Sequence, residues 1–142
     1  MTIRDASYDD LTKIVARGIL HHKELKIPWP FDELSAAQSV LALVRNDTLL
    51  VADDVAGYIG YELGPMYFNN EVIVAKEHFW YVLPSERKTG LGMALLEAAR
   101  AKAKKQGATW FSVQLPQESK RAIELVEKEG YQLMHGEYGV AL

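Results

Sequence analysis

Cysteine is absent from the 142-residue sequence. Disulfides, thiolate zinc sites, iron–sulfur clusters and cysteine nucleophiles are therefore excluded, and a reducing compartment is permitted. Long apolar runs are also lacking, since none approaches the roughly 18 residues that cross a bilayer. The first residues resemble neither a signal peptide nor a lipidation motif. We therefore expect a cytoplasmic protein with no membrane partner.

A basic excess is missing as well, because 16 Lys and Arg against 19 Asp and Glu give a net charge of −3. This balance argues against a general nucleic-acid binder. The charges are unevenly spread, with 7 basic and 12 acidic residues before position 84 and 9 basic and 6 acidic ones from 84 to 130. The second half suits an anionic ligand better, although solvated helix faces rich in Lys and Glu explain the same pattern.

No repeat, low-complexity tract or Pro/Ser-rich linker interrupts the chain. The composition, 49% hydrophobic and 25% charged, is that of an ordinary globular protein,. A chain of this length hides roughly 68% of its extended surface on folding. We therefore expect one domain spanning residues 1–142.

The apolar periodicity changes along the chain from helical to alternating and back. Ser7 and Asp10 form a capping-box pattern at the start of the first helix, and Gly107 is a typical helix stop. A strand–helix–strand run in the second half predicts a parallel crossover beside an antiparallel meander. The predicted fold class is α/β (α+β), with a mixed sheet and helices on both faces. Predicted strands cover 2–6, 48–52, 57–63, 71–83, 109–115 and one or two segments within 131–142; predicted helices cover 7–20, 32–44, 90–106 and 118–129.

The segment from Tyr81 to Met93 joins the end of a buried strand to the start of a helix. Free N–H groups at a helix start, left accessible by Gly90 and Gly92, can surround phosphate oxygens, and Arg87 and Lys88 add positive charge. A Walker loop is excluded because Gly-Lys-Ser/Thr is absent, and a Rossmann fingerprint lacks its third glycine and its acidic residue. An anion-binding loop of another kind is predicted.

The pattern Arg-x-x-Gly-x-Gly after a strand ending in Val-x-Pro resembles the acetyl-CoA pyrophosphate loop of the GNAT family of N-acetyltransferases. The helix that follows and the Glu-Lys-Glu-Gly-Tyr run ending at Tyr131 match the family's order over roughly residues 48–135. The resemblance implies a sheet of roughly six or seven strands, splayed in the middle. It also implies that acetyl-CoA, as co-substrate, lies along Tyr81 and Val82 as an added strand. The implied cofactor-binding residues are Tyr81, Val82, Arg87, Lys88, Thr89, Gly90, Leu91, Gly92, Met93 and Ser119.

Three positions depart from the family pattern. Glu86 replaces a residue that is usually aromatic, Ser119 stands where an Asn often touches the cofactor, and Val126 replaces the Tyr that protonates the leaving thiolate in many members. Tyr131 and Tyr138 are alternative acids, although tyrosines of strands are more often packing residues. The prediction of acetyl-CoA is therefore kept, whereas the identity of the acid is left open.

Glu77 and His78 are the candidate catalytic bases, since they lie roughly 13 to 16 Å along the strand before Val82, near the implied acetyl group. Neighbouring strand residues point to opposite faces, so one of the two is expected to reach the acceptor, and a structural role is an equal alternative for each. Trp29 and Phe31 follow the first helix and are the candidate substrate-binding residues, with covering of the core as the alternative.

The remaining expectations concern metals and partners. His21, His22 and His135 have no partner at metal-ligand spacing, so no metal is expected. The family resemblance implies direct transfer of an acetyl group to a primary amine, on a small molecule or a protein, in a ternary complex; a homodimer would be common for the family. Two rival interpretations stay open, a non-catalytic acyl-CoA-binding module and a nucleotide-binding regulatory domain.

Overall fold

The computed structural model describes residues 1–142 as a mixed sheet with helices on both faces. Strands β1 to β4 are antiparallel neighbours in chain order, and β5 is parallel to β4 at the edge. The predicted fold class is confirmed. None of the helices is both long and apolar enough to cross a membrane. The elements are β1 (Ile3–Asp5), α1 (Leu11–Leu25), α2 (Glu33–Arg45), β2 (Leu49–Ala52), β3 (Gly57–Met66), β4 (Asn69–Val82), α3 (Leu91–Lys105), β5 (Trp110–Ser112) and α4 (Lys120–Lys128).

Two hydrophobic clusters hold the helices against the sheet. Helices α3 and α4 cover one face through residues such as Leu95, Leu96 and Val126, which pack on Ile59 and Ala75 of the sheet. On the opposite face, α1 and α2 pack through their buried apolar positions. Since each strand alternates its side chains between the faces, both clusters are built from the same strands. The second cluster contains Ile14, Val40, Leu43, Leu49, Val51, Val55, Tyr58 and Tyr81.

The parallel pairing of β4 with β5 is short and ends about halfway along β4. It joins Val74 to Trp110, Ala75 to Phe111 and Lys76 to Ser112 and goes no further. On its other side, β4 stays paired with β3 as far as Val82. The β4 segment from Glu77 to Val82 is therefore paired on one side only, which confirms the predicted splay of the sheet. We call the point where β5 leaves β4 the fork.

A β-bulge interrupts β4 next to the fork. Gly60 pairs with Phe79 but Tyr61 pairs with Glu77, which leaves His78 as the extra residue. A bulge shifts the alternation of side chains by one position. His78 and Phe79 consequently both contact the α1 and α2 side, with their rings 5.7 Å apart.

The predicted strands within 131–142 are wrong, because no regular element follows α4. Residues 132–142 are all exposed, Leu133 and Tyr138 to 92% and 98%, so this part of the segment has no buried face. An alternating pattern produces a strand only where a neighbouring strand and a core complete it. Here β5 offers three residues, and Gly136 and Gly139 weaken the strand preference further. The sheet therefore has five strands and not six or seven.

Candidate functional site

The loop before α3 presents unpaired backbone amides. Gly90 has φ +89° and no atom would lie within 4 Å of an added Cβ, so the loop is open at this point. Thr89 Oγ1 donates to the Glu86 carbonyl at 2.7 Å and accepts from the Leu91 amide at 3.3 Å. The amides of Gly92 and Met93 donate to no protein acceptor. Free amides and the positive end of the helix dipole favour an anion at the start of α3.

Arg87 contacts three residues, two in β4 and one in α1. Its Nε donates to the Val82 carbonyl at 3.0 Å, and its guanidinium pairs with the Glu24 carboxylate at 2.7 and 2.9 Å. The guanidinium also lies over the Tyr81 ring, 5.5 Å from its centre. Lys88 is exposed and makes no hydrogen bond or ion pair, so it is the free cation of the loop.

Trp80 fixes the start of α3 to β4. Its indole Nε1 donates to the Gly92 carbonyl at 3.1 Å. Tyr81 lies on the opposite face, where its hydroxyl donates to Glu24 at 3.3 Å and its ring stacks on His21 at 4.8 Å. Burial is the main cause that raises the pKa of Tyr81. Neither Trp80 nor Glu24 was predicted as a site residue, because their partners lie far away in the chain and no local pattern indicates them.

Glu77 is a buried carboxyl at the fork. It lies opposite Tyr61 in the sheet, two residues after Ala75, and so on the face that α3 covers. The residue is 9% exposed, and its side chain makes no hydrogen bond or ion pair. Burial raises its pKa to about 8. A carboxyl with this pKa can exchange a proton near neutral pH.

The bulge gives His78 a different environment from that of Glu77. Its ring is about half exposed and its Nδ1 lies 3.7 Å from the Glu62 carboxylate. His78 contributes to a pocket of about 270 Å³ between α1, α2 and the sheet, which we call the helix-side pocket. The two predicted bases therefore lie on opposite faces, as expected from their adjacency. The full lining is Ile14, Val15, Gly18, His21, His22, Leu25, Phe31, Ala36, Ser39, Val40, Tyr58, His78 and Phe79.

The two predicted substrate-binding residues have different locations. Phe31 lines the helix-side pocket and packs edge-on against His22, with ring centres 5.6 Å apart. Trp29 does not line the pocket, and it is 69% exposed. Its carbonyl accepts from His22 Nε2 at 2.7 Å. Trp29 thus supports the pocket through its backbone, because the αL turn at Lys26 directs the chain outward before Phe31 returns.

No side chain that can donate a proton occupies the position on α4 where many members of the family have their acid. Val126 is 5% exposed and belongs to the core cluster under α3. Ser119 is the N-cap residue of α4, but its side chain makes no capping hydrogen bond, and its contact with the cofactor stays a prediction. Tyr138 is almost fully exposed. The Tyr131 hydroxyl is buried without a hydrogen-bond partner, and burial raises its pKa to about 12.

Replacement of Tyr131 by Phe is expected to leave kcat within roughly threefold of the parent. The same change should keep or raise the free energy of unfolding, by up to about 1 kcal/mol, because it removes a buried hydroxyl that has no partner. Chemical denaturation and steady-state rates measure the two quantities. A loss of 10²-fold or more in kcat would identify Tyr131 as an acid.

Metal ligation has no candidate in the structure. No group of three or more His or acidic side chains lies close enough together to hold a metal ion. His21 stacks on Tyr81, and His22 donates to Trp29. His21 and His22 therefore have partners within the protein.

The fold is shared with solved acetyltransferases. A ribosomal-protein-alanine N-acetyltransferase from Brucella melitensis biovar Abortus superposes with a TM-score of 0.78 at 16% identity, covering 99% of this chain and 98% of that one. An aminoglycoside antibiotic 6'-N-acetyltransferase from Acinetobacter haemolyticus gives 0.73 at 21% identity, with 100% and 98% covered. A transcriptional regulator from Bacillus halodurans gives 0.77 at 20% identity, with 99% of each chain covered. Identities this low establish the fold alone.

The forked mixed sheet and the open helix start thus define the acetyltransferase class of folds. The model of the acetyltransferase (GNAT) family matches residues 10–131, and the chain belongs to this family. No curated protein sequence matches the chain. The predicted family is confirmed, and with it an acyltransferase.

Proposed function

We propose that the protein is an acetyl-CoA-dependent N-acetyltransferase that moves an acetyl group to a primary amine by direct attack in a ternary complex. One observation carries the proposal: the free amides of Gly92 and Met93 lie beside the part of β4 that β5 leaves unpaired. An anion-binding helix start next to an open strand edge fits a ligand with phosphates at one end and amides along its arm.

The residues of the loop fit the pyrophosphate. The amides at the start of α3 would bind the phosphate oxygens, and Gly90 keeps the approach free of a Cβ,. Lys88 would supply charge, since Arg87 is already paired with Glu24. The edge of β4 up to Tyr81 and Val82 would pair with the amides of the arm. Thr89 and Leu91 hold the loop, and Ser119 would contact the cofactor from the start of α4.

Bound acetyl-CoA supplies a thioester whose carbonyl carbon accepts the amine. The amine must first be neutral, and a lysine-like amine with pKa near 10.4 is only roughly 0.04% neutral at pH 7. Glu77 is our proposed base, acting directly or through water, because it is buried at the fork and its pKa is about 8. Glu77 would take the proton of the ammonium form, and the neutral amine would then attack the thioester. As the carbon–nitrogen bond forms, the carbon–sulfur bond breaks, and the second proton lost by the nitrogen would pass to water or to the leaving thiolate.

The leaving thiolate needs little help. A free thiol has a pKa of roughly 8.5, so the thiolate is a tolerable leaving group, whereas deprotonation of the amine is the larger barrier. Val126, which buries an alkyl group at the position of the family acid, is compatible with this order of difficulty. The proton can reach the thiolate from water.

Thiol release from acetyl-CoA with a panel of amines tests the proposal. We expect amine-dependent release of CoA, and a salt-sensitive rise of the melting temperature with acetyl-CoA alone. Heat protection without release would indicate a non-catalytic acyl-CoA-binding module. Better protection by ATP or NAD than by CoA would indicate a nucleotide-binding domain.

Replacement of Lys88 by Asn is expected to raise the KM for acetyl-CoA several-fold while kcat stays within roughly twofold. Asn tolerates the left-handed backbone of this position, where φ is +68°,. The difference from the parent should shrink as salt is added. Lys104→Asn is the matched control, because Lys104 is an exposed lysine in the last turn of α3, at the far end of that helix from the loop. Equal KM values for parent and Lys88→Asn would remove Lys88 from the cofactor site.

A further inference from the structure

The lining of the helix-side pocket contains no charged residue type. Its thirteen side chains are aliphatic, aromatic, histidine, serine or glycine, and no Asp, Glu, Lys or Arg is among them. Such a lining binds an apolar group well. A charged group of a ligand that is buried here, other than the reacting amine, would find no ionic partner among these side chains.

The carboxylates near this lining are already engaged. Glu24 pairs with Arg87 and accepts from Tyr81. Glu62 lies 3.7 Å from His78 and is largely exposed. Burial holds the pKa of His21 below its usual range, so this ring is neutral at neutral pH. A polycationic ligand would therefore find few free anionic partners here.

The size of the pocket limits the ligand further. An apolar cavity of about 150 Å³ holds benzene in another protein, whereas this pocket has about 270 Å³. It can therefore take one ring with a short chain. Phe31, Tyr58 and Phe79 supply aromatic surfaces for such a ring,.

We propose that the acetyl acceptor is a primary amine carried on a ring-sized apolar body without a second charge. This inference rests on the proposed function. The body would lie among Phe31, Tyr58 and Ala36. The amine would point past His78 into the opening of the sheet at the fork, where Glu77 of the opposite face would take its proton through water. The single amine loses its charge when it is deprotonated, so the bound acceptor leaves no charge unpaired in the pocket.

Competition between amine classes tests the acceptor. The probes are 2-phenylethylamine, ethylamine, spermidine and kanamycin, each assayed by CoA release from acetyl-CoA. We expect kcat/KM for 2-phenylethylamine to exceed that for each of the other three about tenfold or more. Preference for spermidine or kanamycin would overturn the acceptor proposal and leave the proposed function standing.

Ala36→Leu fills the pocket from α2, and Gln38→Leu is the matched control because Gln38 is exposed on the same helix and does not line the pocket. Ala36→Leu should lower the kcat/KM ratio of 2-phenylethylamine to ethylamine about tenfold, and Gln38→Leu should leave it unchanged. An unchanged ratio in Ala36→Leu would place the acceptor elsewhere. If no amine releases CoA although acetyl-CoA still raises the melting temperature, the proposed function itself fails and the acceptor proposal falls with it.

Discussion

Replacement of Glu77 by Gln is expected to lower kcat about 10²-fold, the loss that accompanies removal of a general base. The amide keeps the size of the side chain but cannot take a proton. The affinity for acetyl-CoA should change little, because the phosphate loop lies at the other end of the unpaired β4 segment. Steady-state rates at saturating cofactor measure this effect.

The pH dependence of kcat, measured for the parent and for Glu77→Gln, provides a second test of the base. With a pKa of about 8, Glu77 is ionised in about a tenth of the molecules at pH 7,. The parent's kcat should therefore rise between pH 6 and 9 and level off above the pKa. The rise should be absent in Glu77→Gln.

The parent's free energy of unfolding should fall as the pH rises, whereas its kcat should increase. The folded pKa of Glu77 is raised above its unfolded value, so the stability is full below about pH 4.5, falls as the pH rises toward 8 and is level above it,. The cost at neutral pH is on the order of 3 kcal/mol. Glu77→Gln should then be more stable than the parent at pH 7, and the two should converge near pH 4.

Glu71→Gln is the control, because it makes the same change at an exposed position of the same strand. It should leave the rate and the stability near the parent's values. If Glu77→Gln keeps the parent's kcat and pH profile, the base lies elsewhere or the amine arrives neutral.

The second large effect is expected at Gly90. Gly90→Val should remove the rise of the melting temperature that acetyl-CoA produces, since a branched side chain would displace the loop and block the approach of phosphate to the amides. At 100 times its Kd, acetyl-CoA stabilises the parent by about 2.7 kcal/mol. Thermal unfolding with and without acetyl-CoA measures the loss.

The fold itself should be weakened by this change but should persist. A left-handed backbone costs a residue with a Cβ about 1–2 kcal/mol, and Gly90 has φ +89°. Gly107→Val is the matched control: Gly107 follows the other end of α3, has φ +100°, and also has open space around an added Cβ. Both variants should melt lower than the parent, but only Gly107→Val should keep the response to acetyl-CoA. A full response in Gly90→Val would show that this loop does not bind the cofactor.

The structure of the loop before α3 could be predicted because the loop is local in the chain. Its strand end, turn, glycines and helix start are consecutive from Tyr81 to Met93, and their geometry depends on backbone preferences and nearby hydrogen bonds,. For the same reason the four long helices were predicted to within a few residues. The capping pair Ser7 and Asp10 was also predicted; it caps the short turn Tyr8–Asp10 that leads into α1, and the Ser7 amide donates to Asp10 at 2.8 Å.

The sequence by itself determined the family, the turn and helix start from Tyr81 to Met93, and the valine that stands at the position of the usual acid, Val126. Only the tertiary structure decided what Arg87, Glu77 and His78 contact. Arg87 meets Glu24 across 63 positions of sequence, and the bulge at His78 appears only in the register with β3. Long-range pairing and burial depend on which elements come together, and no local pattern encodes them. Residues 131–142 show the same dependence on tertiary structure. Their local sequence was predicted to form strands, but no neighbouring strand pairs with them and none forms,.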